Sequence, residues 1–105
     1  MTKSGVRLIN IYSVEPKNQE KLVQILEEGT QSIMINQEGY LGSTILKSLD
    51  GKTVAVYAHW KEAKNIMAVF QKPENETYLQ KIKEIATASP GIYEVCSSHV
   101  MERSK

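Results

Sequence analysis

The chain contains few of the residues that metal sites, disulfides and membrane spans require. One cysteine and two histidines among 105 residues exclude an internal disulfide and a cysteine-rich zinc site. The histidines, His59 and His99, form no HxxxH motif and no cluster with carboxylates, so we predict no metal site. No apolar run approaches the roughly 18 residues of a membrane span, and residues 1–12 are too poor in apolar residues for a signal peptide. We therefore expect a cytoplasmic protein without membrane association.

The chain has no large excess of positive or negative charge. Thirteen Lys and Arg against twelve Asp and Glu leave a net charge of +1, and the basic residues are scattered. Nucleic-acid-binding proteins usually carry a basic patch or stripe, so nucleic acid is not a predicted partner. A chain of 105 residues buries roughly 65% of its unfolded surface, which is enough for an unassisted core. We expect a single domain over residues 1–105, with its core in about residues 6–101.

The segment from Gly39 to Trp60 carries the strongest structural signal. An Asp50-Gly51 pair stands between two runs rich in β-branched residues. Gly takes positive φ without a Cβ penalty and Asp tolerates it, which is typical of a tight β-hairpin turn. The two glycines Gly39 and Gly42 read as turn and bulge residues, because no helix start follows them.

Other elements follow from periodicity and from proline. Pro16 suits the first turn of a helix, and Pro73 interrupts a second helical repeat, so the second helix is predicted to be kinked or in two parts. Ser89-Pro90-Gly91 is expected to stop that helix, and Cys96 is expected to be a small buried residue in the last strand. The predicted boundaries are Val6–Val14, Leu41–Leu49, Thr53–Trp60 and Ile92–Met101 for the strands, and Pro16 to about Asn36 for the first helix.

The order β-α-β-β-α-β predicts an α+β fold of the ferredoxin-like type, an antiparallel sheet with both helices on one face. Right-handed crossovers place the first and third strands side by side in its middle. Both of these strands carry apolar residues in both phases, whereas a sheet with one solvated face alternates apolar with polar residues. We therefore predict a homodimer packed sheet to sheet.

Two residues of the central strands are candidates for chemistry. Trp60, the only tryptophan, is either an indole N–H donor in the wall of a pocket or a plain core residue. Asn10 lies in mid-strand, where a buried amide is costly unless it finds partners, so it is either satisfied by neighbours or kept for a ligand. Alternation places Asn10 on one face with Tyr12, and His59 on the face opposite Trp60.

The hairpin resembles the antibiotic biosynthesis monooxygenase family, in which a G-[FY]-x-G strand leads into a Y-A-x-W strand end. The matching residues here are Gly39, Tyr40 and Gly42, followed by Tyr57, Ala58, His59 and Trp60. The resemblance covers about residues 6–100 and implies a dimeric α/β barrel in which two sheets meet. It also implies a cofactor-free oxygenase, in which a deprotonated, electron-rich aromatic substrate itself reduces dioxygen.

Two branches of this superfamily are matched in part. Asn10 corresponds to the pocket asparagine of the haem-degrading branch, but that branch's helix tryptophan falls near Val69 and its haem-ligating histidine near Leu79. Haem degradation is therefore disfavoured. Trp60 matches the quinone-forming branch, whose other polar residues, an asparagine and a tyrosine, are Val56 and Ile66 here.

The resulting prediction is a monooxygenase, without cofactor, that oxidises a small aromatic or otherwise electron-rich substrate with dioxygen. Trp60 and Asn10 are assigned catalytic roles. Residues assigned to substrate binding are Tyr12, Val56, Ile66, Phe70 and Tyr78. No general base is identified, although Glu94 faces the pocket in one phase of the last strand. The alternatives are an isomerase or cyclase acting on a small carbonyl compound, and a non-catalytic dimeric binding module.

Overall fold

Four strands and three α-helices follow one another along residues 4–101, the part of the chain that the computed structural model describes. Short 3-10 turns at Pro16–Asn18, Met34–Asn36 and Pro73–Asn75 flank the helices. None of the helices among these residues has the length and apolarity needed to cross a membrane. The elements are β1 (Val6–Val14), α1 (Gln19–Ser32), β2 (Tyr40–Lys47), β3 (Thr53–Trp60), α2 (Ala63–Gln71), α3 (Glu76–Lys83) and β4 (Ala86–Tyr93).

The strands form one sheet in the order β2-β3-β1-β4, and every neighbouring pair is antiparallel. This is the ferredoxin-like arrangement, and the predicted fold and the central position of β1 and β3 are confirmed. The sheet of one chain is open and is not itself a closed barrel. The ends of the predicted domain, residues 1–3 and 102–105, lie outside the described residues.

The second helical region is in two parts, as its proline predicts. Pro73 cannot donate a backbone hydrogen bond, so α2 ends at Gln71 and a new helix begins at Glu76. Asn75, 3% exposed, joins the two helices because its Nδ2 donates to the backbone oxygen of Val69 at 2.9 Å. The break therefore has a fixed geometry.

The prediction for the last strand was wrong. β4 covers Ala86–Tyr93, so Ser89-Pro90-Gly91 lies inside the strand, and residues 94–101 have no regular structure. The physical reason is that β4 is an edge strand paired only with β1, where a proline is tolerated because one side of the strand has no partner. Cys96 lies beyond β4 and is exposed, so the expectation of a buried thiol was also wrong.

The predicted Gly39–Trp60 hairpin forms, but β2 covers Tyr40–Lys47 and not the predicted Leu41–Leu49, because Ser48 and Leu49 belong to a five-residue connection from Ser48 to Lys52. Gly51 adopts a φ of +82°, and the Asp50 carboxylate accepts hydrogen bonds from the Lys52 N–H at 3.0 Å and the Ser48 hydroxyl at 2.7 Å. These hydrogen bonds lower the pKa of Asp50. The register of β2 against β3 shifts between Tyr40 and Gly42, which is the bulge that the glycines predict.

The core between the sheet and the helices is split into two clusters. Asn10, 4% exposed, lies between the two groups along β1. Val56 packs against both clusters. One cluster contains Tyr12, Val14, Leu22, Leu26, Val54 and Ile82, and the other contains Leu8, Ala58, Trp60, Ile66 and Val69.

The face of the sheet away from the helices is also apolar. Strand pairing places alternate residues of all four strands on this face, opposite the side chains that meet the helices. Ile11, Leu46, Tyr57 and Tyr93 on it are between 39% and 52% exposed. We call this surface, with Ile9, the open face.

Leu22 gives a direct test of the core. Its side chain is fully buried in the first cluster, whereas Leu49 at the hairpin tip is fully exposed. Leu22→Ala is expected to lower the free energy of unfolding by about 3 kcal/mol, because it removes buried methyl groups and leaves a cavity. Leu49→Ala is the matched control, with a change below about 0.5 kcal/mol. Equal midpoint shifts for both variants in urea denaturation would contradict this assignment of the core.

Candidate functional site

A cavity lies between the sheet and the helices, at the gap between the two core clusters. Its volume is about 60 Å³, which holds a few water molecules but is below the roughly 150 Å³ of a known benzene-binding cavity. Half-exposed Phe70 lies in its lining, so the cavity reaches towards the surface at α2. The lining residues are Leu8, Asn10, Tyr12, Leu26, Thr30, Met34, Tyr40, Ser43, Val56, Ala58, Trp60, Val69, Phe70, Tyr78, Leu79 and Ile82.

Two buried polar atoms in this lining lack hydrogen-bond partners within residues 4–101. They are the Oδ1 of Asn10 and the indole Nε1 of Trp60. The Asn10 Nδ2 donates to the Tyr12 hydroxyl at 3.0 Å, so one end of the amide is satisfied and the other is not. An unpaired buried donor or acceptor costs about 1–3 kcal/mol, so a polar partner in this cavity, a water molecule or a ligand, would stabilise both atoms.

The Trp60 ring is held from several sides. Tyr40 meets it edge-to-face, with ring centroids 5.4 Å apart and planes at 79°. The backbone just beyond the ring is tied to the start of β2, because the Lys61 N–H donates to the Gly39 oxygen at 2.8 Å. Gly39 has a φ of +86°, and a Cβ there would overlap the side chain of Asn65. Asn65 in turn caps α2 by accepting from the Glu62 N–H at 3.1 Å. The indole is therefore positioned before any ligand arrives.

Two tyrosines bring hydroxyl groups to the cavity. Burial raises the pKa of Tyr12 from 10.0 to about 12. Burial, and then the proximity of Tyr12, raise the pKa of Tyr78 further above its ordinary value. Both phenols therefore stay protonated at neutral pH and act as hydrogen-bonding groups, not as bases.

Among residues 4–101, no Asp, Glu, His, Lys, Arg or Cys side chain lies in the lining. Glu94, the one carboxylate that the sequence placed near the pocket, is exposed beyond the end of β4. Across residues 4–101, no group of three His, Cys, Asp or Glu side chains has the arrangement of a metal-binding cluster. The cavity wall is thus apolar, with amide, indole and hydroxyl groups as its polar components.

The structure brings together Trp60, Asn10 and four of the five predicted substrate-binding residues. Ile66 is the exception, because it is 2% exposed within the Trp60 cluster and lies outside the cavity lining. Val69, three residues later on α2, lines the cavity instead. The lining also contains Leu26 and Thr30 of α1, and Met34 just beyond the end of that helix. Leu26 and Thr30 were not predicted as site residues, although their spacing of four residues is the signal that marks one helix face.

His59 lies on the face of the sheet opposite Trp60, as the alternation predicts. Its register partner across the strands is Arg7. Its Nε2 is 3.0 Å from the Ser4 backbone oxygen, and the Arg7 Nε donates to the Tyr57 hydroxyl at 3.0 Å. These polar contacts belong to the open face and not to the cavity.

The burial of Tyr12 predicts a stability change at high pH. Its pKa is about 12 in the folded state and 10.0 ordinarily, so the folded state holds the proton more tightly. This stabilisation is complete below pH 10 and is lost as the pH rises to about 12, an effect of about 3 kcal/mol. Tyr12→Phe is expected to abolish this component in urea denaturation series, while Tyr93→Phe, exposed outside the cavity, retains it. Identical pH dependence in all three proteins would contradict the assignment.

Solved structures of similar fold come from bacterial oxygenases. The ActVA-Orf6 monooxygenase of Streptomyces coelicolor, crystallised with nanaomycin D, aligns with a TM-score of 0.82 and 19% identity over 97% of this chain and 96% of that chain. SnoaB, a cofactor-independent oxygenase from Streptomyces nogalater, aligns with a TM-score of 0.74 and 17% identity over 89% of this chain and 94% of that chain. These likenesses show the shared fold.

Sequence comparison points the same way. The chain is 25% identical over 91 residues to the tetracenomycin-F1 monooxygenase of Streptomyces glaucescens, covering 87% of this chain and 81% of that protein. The family model described as antibiotic biosynthesis monooxygenase matches residues 5–81, which include all elements from β1 to most of α3. The resemblance seen in the hairpin motif is thereby confirmed. The chain belongs to the antibiotic biosynthesis monooxygenase family.

Proposed function

We propose that this protein is a cofactor-independent monooxygenase that oxidises a small, electron-rich hydroxyaromatic compound with dioxygen. One observation carries the proposal: the Asn10 Oδ1 and the Trp60 Nε1 are buried, unpaired within residues 4–101, and lie in the lining of one cavity. A non-catalytic module would fill this space with apolar side chains and satisfy the amide internally. The unpaired groups therefore favour a site that receives a polar ligand.

The reaction balances without an external reductant. The substrate loses its hydroxyl proton to solvent, and a ring carbon of the resulting anion attacks dioxygen to form a C–O bond. Protonation gives a hydroperoxide, which loses the C–H proton as the O–O bond breaks and water departs. One oxygen atom becomes a carbonyl and the other becomes water. The four electrons gained by dioxygen all come from the substrate.

The protein's contribution to this chemistry is hydrogen bonding and exclusion of water. The Trp60 Nε1–H is a donor for the substrate oxygen on which negative charge resides, and the free end of the Asn10 amide pairs with a second polar group. A donor preorganised in an enclosed site stabilises developing charge more than one in water, because it needs no reorganisation. The tyrosines remain neutral because their pKa values are raised. They are therefore further hydrogen-bonding partners for the substrate.

The relatives support this chemistry in outline. The tetracenomycin-F1 monooxygenase is an oxygenase by name, SnoaB is described as cofactor-independent, and ActVA-Orf6 was crystallised with a small organic ligand. This chain lacks two polar residues of the quinone-forming branch, so the resemblance does not identify the substrate. Val56 places a side chain without hydrogen-bonding groups in the lining, and Ile66 is buried beside it in the Trp60 cluster. Trp60 and Asn10 therefore carry the proposed polar recognition.

We further propose a homodimer in which two open faces meet and form the α/β barrel. Contiguous exposed apolar surface is unusual on a monomeric protein and marks an interaction site. Ile11 and Tyr57 lie on the two central strands of this face, 39% and 42% exposed. A second copy of the same face would cover these side chains and those of Leu46 and Tyr93 together. This association explains why both phases of the central strands are apolar.

The first experiment combines tryptophan fluorescence with an oxygen electrode. Hydroxylated aromatics, anthrones and quinones are titrated into the protein, and quenching of Trp60 reports binding in the cavity because it is the only tryptophan. Saturable quenching with oxygen consumption and a product richer by one oxygen atom supports the monooxygenase. Product formation without oxygen uptake would instead identify an isomerase or cyclase. Absence of quenching across the panel would contradict an open site.

Trp60→Phe tests the indole donor. The variant keeps an aromatic ring but loses the N–H, so kcat/KM for oxygen uptake is expected to fall about a hundredfold, which is typical for loss of one oxyanion donor. Ile66→Val is the matched control, since it trims the same cluster outside the cavity lining. Its cost is expected to be about 1 kcal/mol in stability without loss of activity. Comparable activity losses in the two variants would assign Trp60 to packing alone.

The Asn10 amide is tested together with its partner. Asn10→Leu with Tyr12→Phe removes both members of the 3.0 Å hydrogen bond and leaves neither unpaired. The double variant is expected to be as stable as the wild type or more stable, because an unsatisfied buried amide has been removed. Its substrate affinity is expected to fall at least tenfold. A strong loss of stability would indicate that the amide serves the fold.

Ile11→Lys tests the dimer. A charge in the middle of the open face is expected to convert the dimer to a monomer, because the buried ammonium would lack a partner. Leu49→Lys adds the same charge at the fully exposed hairpin tip and is expected to leave the dimer intact. Sedimentation velocity over a range of protein concentrations measures both. A wild-type protein that remains monomeric at all concentrations would refute the dimer.

A further inference from the structure

The cavity described above has one property that the proposed function does not explain. Its volume of about 60 Å³ is well below the roughly 150 Å³ that accommodates a benzene ring. An aromatic substrate therefore enters only if a lining side chain leaves its place. The structure indicates which side chain this is.

We propose that Tyr78 occupies the substrate position in the free protein, with its phenol ring where the first substrate ring binds. The side chain rotates out of the cavity to admit a hydroxyaromatic compound of one or two rings. This inference rests on the proposed function for the identity of the site, and it adds the substrate's size and its route of entry. Three observations on Tyr78 support it.

The first observation is the close contact between the Tyr78 ring and α1. Gly29 is buried on the inner face of this helix, and a Cβ there would overlap the Cε1, Cζ and Oη atoms of Tyr78. Glycine within a helix weakens it relative to alanine, so its presence at this contact has a structural use. The missing side chain of Gly29 is what lets the hydroxyl end of the Tyr78 ring approach the helix this closely.

The second observation is the neighbourhood of the ring. Tyr78 lines the cavity together with Tyr12 and Asn10, and it packs against the core cluster that contains Tyr12. Asn10 donates to the Tyr12 hydroxyl at 3.0 Å. Tyr78 thus brings a phenol into the same lining as the polar side chains that the substrate oxygen is expected to reach.

The third observation is that the ring has a way out. Tyr78 is only partly buried, and it lies on α3, close to the break at Pro73–Asn75. Among the lining residues near the surface, Phe70 is already 45% exposed and contributes less of its ring to filling the cavity. Displacement of Tyr78 vacates the volume of one phenol ring next to the existing space. By the same benchmark the enlarged space encloses one ring, a second fused ring extends towards the surface at Phe70, and a third has no enclosed space.

Chemical rescue provides the test. Phenol is titrated by calorimetry, without oxygen, into the wild type, Tyr78→Ala and Met67→Ala, the last as a control on α2 whose half-exposed side chain lies outside the cavity lining. Phenol is expected to bind Tyr78→Ala at least tenfold more tightly than the wild type, because no ring must be displaced first. Met67→Ala is expected to change the affinity less than threefold. Equal phenol affinity in Tyr78→Ala and the wild type would overturn the proposal.

The second measurement compares the affinities of the same proteins for ligands with two and three fused rings. Tyr78→Ala is expected to bind 1,4-dihydroxynaphthalene tightly and 1,8-dihydroxyanthrone at least tenfold more weakly. Tighter binding of the three-ring compound would overturn the proposed size limit. Tyr78→Leu, which keeps an apolar side chain at the contact, is the second variant if Tyr78→Ala does not fold, and is expected to bind phenol with intermediate affinity. Unchanged affinity in Tyr78→Leu would count against the proposal.

Binding without oxygen separates this inference from the proposed reaction. If phenol binds Tyr78→Ala more tightly than the wild type but no compound in the panel causes oxygen uptake, Tyr78 occupies the substrate position and the monooxygenase proposal fails. If the wild type consumes oxygen and Tyr78→Ala binds phenol no more tightly than the wild type, the proposed reaction is supported and the proposed role of Tyr78 is refuted. If neither protein binds any probe, both proposals fall.

Discussion

The burial of an amide in the middle of the central strand is the constraint on which this structure depends. Asn10 interrupts what would otherwise be one continuous core, and the apolar side chains gather on either side of it as two clusters. Tyr12 satisfies one end of the amide, and no residue described here satisfies the other. The cavity lies where the clusters fail to meet. Fold and site thus arise from the same residue, because an apolar side chain at this position would let the core close.

The site combines strict positioning with an absence of charge. Tyr40 and the apolar cluster around Trp60 hold the indole, while the rest of the described wall is apolar or neutral. On the proposed function, such a site stabilises an anion that the substrate brings with it, because no base lies among the lining residues of the described chain. The proposed reaction therefore makes a chemical demand on the substrate: its hydroxyl must lose a proton to water at neutral pH. That requirement favours acidic, electron-rich hydroxyaromatics over simple alcohols.

The sequence was most informative where local chemistry decides the backbone. The limits of β1 and β3, the Asp50-Gly51 turn and the break at Pro73 all follow from residue types that act over a few positions. It failed at β4, because a proline signals an edge strand as readily as the end of an element, and only the sheet order distinguishes the two. Alternation placed Asn10 with Tyr12 and placed His59 opposite Trp60, but only the register of β1 against β3 puts Asn10 and Trp60 on one face. The contact of Gly29 with Tyr78 joins distant segments of the chain, and no short-range pattern predicts it.

Both outer strands of the sheet contain an interruption. β2 carries the bulge at Tyr40–Gly42, and β4 contains Pro90, which has no N–H to offer a further strand. Unpaired edges otherwise serve as templates for the addition of strand after strand. With both edges irregular, the sheet is protected against open-ended growth into fibres. In the proposed homodimer these borders would favour a closed assembly of fixed size, because the open face is apolar but the edges beside it are poor templates for a further strand.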